Sequence, residues 1–252
     1  MKHADEKMYL DKAFKKRGSS QTQIRRGAVS GAGQIISIRE LAGKLFTLKN
    51  KGEEHKTYML VLMDVKDFHL INEFWGYQMG NEVLQFVWKR LELFPRVIFT
   101  SRFHSDVFVA VVDVTEEDPD SCLKMVAKNN QILSDDVLEK FPIEYFSMNT
   151  GIYYDLDREE DMEKIISHTN TARRKAREQV DGICAYTEEL AHAELLRADV
   201  LHSFQSALEK EEFILYFQPK ISGKNAEITS AEVLVRWQRA DGEIWGPNKF
   251  IS

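Results

Sequence analysis

Tyr58-Met59-Leu60-Val61-Leu62-Met63-Asp64 and, further along, Asp106-Val107-Phe108-Val109-Ala110-Val111-Val112 are the two stretches that decide the fold. Apolar runs of this length bounded by polar residues read as buried strands. Paired side by side, they bring Asp64 and Asp106 together at one end of a sheet. Two such carboxylates form a hard-oxygen site for Mg²⁺, and magnesium implies phosphate chemistry. A lone aspartate in either place would equally end a strand or cap a turn, so the segment between them carries the decision.

That segment begins Asp64-Val65-Lys66-Asp67-Phe68-His69-Leu70-Ile71-Asn72-Glu73-Phe74-Trp75-Gly76 and continues Tyr77-Gln78-Met79-Gly80-Asn81-Glu82-Val83-Leu84. It resembles the opening signature of the GGDEF family of diguanylate cyclase domains, D-x-D-x-F-K-x-I-N-D-x-x-G-H-x-x-G-D-x-x-L. Asp64, Phe68, Ile71, Asn72, Gly76, Gly80 and Leu84 are retained in register. An amphipathic helix explains the apolar members but does not require Gly76 and Gly80. The resemblance implies a ferredoxin-like, nucleotidyl-cyclase-type α+β fold, a mixed sheet flanked by helices. The apolar periodicity gives the matching order βααββαβαβ. It also implies GTP as substrate, cyclic di-GMP as product, and metal held at Asp64 and Asp106.

The family's naming signature is altered. Arg-x-Gly-Gly-Asp/Glu-Glu-Phe becomes Arg102-Phe103-His104-Ser105-Asp106-Val107-Phe108. A tight turn wants positive φ at its centre, which glycine adopts freely and His104 and Ser105 do not. Their side chains also stand where a triphosphate approaches bare backbone, and Val107 removes an acid beside the metal. The turn is expected to survive and the cyclase chemistry to be lost. Among nucleotide-binding positions implied by the resemblance, Asn72 is kept, but its aspartate partner is Asn81, which offers one acceptor oxygen instead of two. His69 replaces a lysine near the phosphates and is mostly neutral at pH 7. Lys66 replaces the second aspartate of the first motif. In the late helix, Thr169-Asn170-Thr171-Ala172-Arg173-Arg174-Lys175-Ala176-Arg177 stands for A-D-x-A-L-Y-x-A-K; Arg177 keeps a phosphate-facing cation and Asp181 replaces another. The product-inhibition motif R-x-x-D is replaced by Pro95 and Ile98.

A second resemblance follows a helix expected over Ala191–Glu209. Phe213-Ile214-Leu215-Tyr216-Phe217-Gln218-Pro219, Ala231-Glu232-Val233-Leu234-Val235-Arg236-Trp237 and Pro247-Asn248-Lys249-Phe250-Ile251 look like the start of an EAL phosphodiesterase domain. Glu232 would then be a metal ligand, with Gln218 and Arg236 contacting substrate. A barrel of this kind takes about 250 residues, so the start alone is expected to hold no catalytic metal and to leave strand edges exposed.

The formal net charge of -6 argues against a general nucleic-acid surface. Cys122 and Cys184 show no ligand spacing or disulfide framework, which suits a reducing cytoplasm. No apolar run reaches the length of a membrane span. Ala4-Asp5-Glu6-Lys7-Met8-Tyr9-Leu10-Asp11-Lys12 is similar to the last helix of a GGDEF domain, or is a generic amphipathic lead helix. The expected division is a helix and linker over 1–34, a degenerate GGDEF domain over 35–188, a connecting helix over 189–210 and an incomplete EAL start over 211–252. The expected role is a regulatory GGDEF domain that binds GTP weakly or not at all, holds Mg²⁺ at most weakly, and biases an EAL domain. A dimerising or docking scaffold without ligand, a homodimer among its forms, is the alternative, and an active cyclase the remaining one.

Overall fold

The structure, a computed structural model, describes residues 35–51, 56–156 and 161–251. The chain divides into two compact units, Met1–Ala32 and Gly33–Ser252, and the described residues all belong to the second. The helix and linker expected over 1–34 lie outside them.

Helix α1 (Ile38–Lys51) starts at a reciprocal cap: Glu40 N donates to Ser37 Oγ and Ser37 N to Glu40 Oε2, at 3.2 and 2.9 Å. Strand β1 (Tyr58–Val65) is buried along its whole length. It is the centre of a five-stranded sheet completed by β2 (Val97–His104), β3 (Val107–Asp113), β4 (Met148–Tyr153) and β5 (Ile183–Ala185), in the order β2-β3-β1-β4-β5. β1 runs antiparallel to both neighbours, while β4 and β5 are parallel. The mixed sheet flanked by helices is the architecture expected from the sequence.

Side-chain alternation along β1 explains why the run is apolar throughout. Met59, Val61, Met63 and Val65 enter one core with Ile71, Val83, Leu84 and Val87 of α2 (Phe68–Leu91) and Val126, Leu133 and Val137 of α3 (Pro119–Lys140). Tyr58, Leu60 and Leu62 enter the other, with Leu41 and Leu45 of α1 and Met162, Ile165 and Ile166 of α4 (Met162–Ala176). By the same alternation Asp64 belongs to the α4 face.

The two helices anticipated after β1 are both present; they are written together as α2 and meet at Gly76, whose φ of 83° and ψ of 159° are a backbone state that glycine adopts without strain. The connecting helix, α5 (Glu188–Glu209), begins ahead of Ala191 because Thr187 caps it, its hydroxyl accepting from Leu190 N at 3.2 Å.

The EAL-like residues form a separate antiparallel sheet, β6 (Phe213–Ile221), β7 (Ile228–Gln238) and β8 (Ile244–Trp245), which is not closed into a barrel. Its small core is Trp237 and Trp245, packed with Phe213 and Phe250 against Leu196, Val200 and Ala207 of α5. Leu215 and Phe217 remain exposed. Among the described residues, no helix is long and apolar enough to cross a membrane.

Candidate functional site

Asp64 stands on β1 opposite Val107 of β3 on one side and Asn149 of β4 on the other. Asp106 immediately precedes β3, so the hairpin brings both aspartates to the same end of the sheet. They line one cavity of about 320 Å³ together with Val65, Lys66, Asp67, His69, Asn149 and Arg177. Of the nucleotide-binding positions inferred from sequence, His69 and Arg177 lie in this lining and Asn72 and Asn81 do not. Asn72 is turned across the Gly76 break toward Gly80: a Cβ there would lie 2.1 Å from Asn72 Oδ1, so the absence of a side chain at Gly80 gives that amide its place.

The hairpin between β2 and β3 survives without glycine. His104 pairs with Val107, and Ser105 takes the left-handed conformation at φ 45°. The Arg102 guanidinium donates through Nε to the Ser105 carbonyl and braces the turn from within. His104 is exposed at the tip, its ring tilted against Phe103 at 5.1 Å. Protein crowding and then the Arg173 charge push the imidazole pKa down, while Asp106 and Asp64 pull it back up.

Asp64 is 2% exposed and is not a bare carboxylate. Its Oδ1 accepts from Arg173 Nη1 at 2.6 Å. Its Oδ2 accepts from Arg177 Nη2 at 2.9 Å and from Asn149 Nδ2 at 3.3 Å. Arg173 is itself buried, and its Nε and Nη2 both donate to Asn170 Oδ1, at 3.0 and 2.9 Å. Burying such a pair is tolerable only when the remaining donors and acceptors are satisfied, and here Asn149 and Asn170 satisfy them.

Gly151 sets this geometry. A Cβ there would stand 2.1 Å from Arg173 N and 2.4 Å from Thr169 O. Backbone therefore rests on backbone, and α4 lies close enough to the sheet for Arg173 to reach Asp64. Sequence reading missed Arg173. The available signal was its position on the buried face of α4, one turn beyond Thr169 and two beyond Ile165. A charge there needs a buried partner, and Asp64 lies on the facing side of β1.

Both Asp64 oxygens are engaged by guanidinium groups, and Val107 supplies no ligand beside Asp106. Among the described residues no group of three or more His, Cys, Asp or Glu side chains is placed to hold a metal.

In the second sheet, Gln218 and Glu232 are directly opposed across β6 and β7, and Arg236 follows on the same face. Arg236 lies 5.9 Å from the Tyr216 ring, and Glu232 faces Lys220 at 3.5 Å with both side chains more than half exposed. The three residues share a surface, open to solvent at Gln218 and Glu232.

The family model described as diguanylate cyclase, GGDEF domain, matches residues 39–182, and that of the EAL domain matches 201–252. Similar curated proteins include the signaling protein YkoW of Bacillus subtilis, 23% identical over 79% of this chain. The cyclic di-GMP phosphodiesterase PdeR of Escherichia coli is 28% identical over 77% of it. The chain spans 25% and 29% of their lengths, respectively. Among solved structures, the S helix-GGDEF-EAL portion of Vibrio cholerae LapD is similar in fold, with TM-score 0.52 and 16% identity over 97% of this chain and 55% of that one. The GGDEF domain of DgcB from Caulobacter crescentus gives TM-score 0.50 and 18% identity over 65% of this chain and 98% of that one. By its sheet, its signature positions and the span of the family match, the chain belongs to the GGDEF domain family and carries the beginning of an EAL domain.

Proposed function

We propose that this chain is the regulatory GGDEF module of a cyclic di-GMP signalling protein and does not itself make cyclic di-GMP. The observation that carries the reading is the engagement of Asp64 by Arg173 and Arg177. Two-metal or single-metal phosphoryl chemistry needs carboxylates free to hold the ion against the phosphates, and this carboxylate is already neutralised. Occupied glycine positions at His104 and Ser105, and Val107 beside Asp106, support the same reading. The signalling context is supported by relatives named as a bifunctional diguanylate cyclase/cyclic di-GMP phosphodiesterase and as cyclic di-GMP phosphodiesterases. The module's effect on an EAL domain runs through α5, which packs onto the first EAL strands, and takes the form of a shifted population between two arrangements.

Incubation of the chain with GTP and Mg²⁺ or Mn²⁺, followed by chromatography, is expected to yield no cyclic di-GMP; product formation overturns the proposal. Calorimetric titration with GTP is expected to show weak binding or none. Thermal stabilisation by GTP separates a weakly binding module from a ligand-free scaffold, since a ligand at 100 times its Kd adds about 2.7 kcal/mol.

A further inference from the structure

We infer that Arg173 is a resident cation: its guanidinium holds Asp64 in a permanent ion pair and, with Arg177, excludes divalent cations from the cavity that Asp64 and Asp106 line. The inference rests on the same carboxylate as the proposed loss of cyclase chemistry and extends it to a property of the site itself. Arg173 is not a mobile surface charge swung into an open pocket. It is buried on a helix face, fixed by Asn170 on one edge of its guanidinium and by Asp64 on another. Its Cα is pinned by the backbone contact at Gly151. The second cation, Arg177, is half exposed and takes the other carboxylate oxygen. A metal ion entering this cavity would have to displace a guanidinium that has no solvent to retreat into. Arg177 can retreat; Arg173 cannot.

The neutralisation is therefore built into the fold, and the ligand set it covers is latent. A neighbouring cation changes the proton affinity of a carboxylate by about ten- to a thousandfold, and a divalent ion feels that charge at least as strongly. Removing both guanidiniums is expected to raise Mn²⁺ affinity at least about tenfold on this basis.

The test is Mn²⁺ binding, read from loss of the free-ion paramagnetic resonance signal, on the full chain and on Arg173→Leu/Arg177→Ala. Wild type is expected to leave millimolar Mn²⁺ free. The double variant, once its cooperative unfolding is shown, is expected to bind one ion, and adding Asp64→Asn is expected to abolish that binding. A folded double variant that binds no Mn²⁺ overturns the inference. Should the double variant not fold, wild type decides: saturable Mn²⁺ binding that Asp64→Asn removes overturns the inference, and its absence supports it. Mn²⁺ held at Asp64 by wild type without cyclic di-GMP production sinks this inference and leaves the proposed function standing. Cyclic di-GMP produced while Asp64 stays free of metal does the reverse.

Discussion

Asp64→Asn is the substitution on which a buried ion pair and a bare catalytic carboxylate give opposite signs. Were Asp64 an uncompensated acid near Asp106, removing its charge would relieve repulsion, and stability would rise, as it commonly does when an active-site strain is removed. Here the change strands Arg173, which is 6% exposed. Removing one partner of a buried pair costs about 3–5 kcal/mol. Two features place the expected loss near the lower end: Asn170 still accepts from Arg173, and Arg177, half exposed, can rehydrate. A loss of about 3 kcal/mol, with a urea dependence of about 2 kcal/mol per molar, lowers the midpoint by about 1.5 M. The assay is urea denaturation followed by far-UV circular dichroism, repeated on Arg173→Leu and on Asp64→Asn/Arg173→Leu. The double variant is expected to lose less than the sum of the single ones, with a coupling of about 2 kcal/mol. An unchanged or raised midpoint for Asp64→Asn, or strict additivity, refutes the reasoning.

Gly151→Ala forces a methyl group to within 2.1 Å of Arg173 N, against ordinary contact beyond 3.4 Å, so α4 must withdraw by a little over 1 Å. The expected cost is about 1–3 kcal/mol or more, read in the same denaturation; a wild-type midpoint would show that α4 does not rest on β4 as described. Trp237→Ala removes the centre of the small aromatic core on α5 and is expected to destabilise that unit by about 3–5 kcal/mol. Hydrogen exchange should then accelerate in β6 to β8 and stay slow in β1; equal acceleration in both would mean that the two cores unfold as one. Burial pushes both the Cys122 and Cys184 thiols up, with Glu117 and Asp118 adding to the effect at Cys122. At neutral pH a thiol reagent should therefore modify half-buried Cys184 slowly, faster as pH rises, and reach Cys122 only on unfolding. Rapid reaction of Cys122 in the native state would contradict its placement inside α3.

The sheet was legible because its central strand is apolar on both faces, a pattern that few arrangements other than a covered sheet produce. Asp64 and Asp106 were legible as neighbours because antiparallel pairing of their two runs leaves little choice of register. The turn kept its shape because Ser105 accepts a left-handed conformation and Arg102 braces it, neither of which follows from the loss of two glycines. Helix α2 was expected in two pieces and is in two pieces, because Gly76 takes a positive φ that breaks the helical run between them. Arg173 was passed over since it sits in a basic run, Arg173-Arg174-Lys175, which reads as a solvated face until its register against Ile165 and Thr169 is counted. For the EAL-like segment, the strands followed from the motif, while the opposition of Gln218 to Glu232 came from the register of their pairing. The seating of Trp237 on α5, which leaves the opposite face open, needed the three-dimensional packing.

The short fifth strand has a mechanical consequence. β5 offers only three paired residues, all on one side, and α5 departs from it after two more. At about 1.5 Å of rise per residue, that helix is a rod of roughly 33 Å, rooted at Thr187 and tied near its midpoint by Arg197 to Glu178. A tilt of about 5° at the root would sweep the far end sideways by roughly 3 Å over that length, comparable to the diameter of a water molecule. Any tilt of so short an edge strand would therefore be magnified along α5 before it reached the strands beyond.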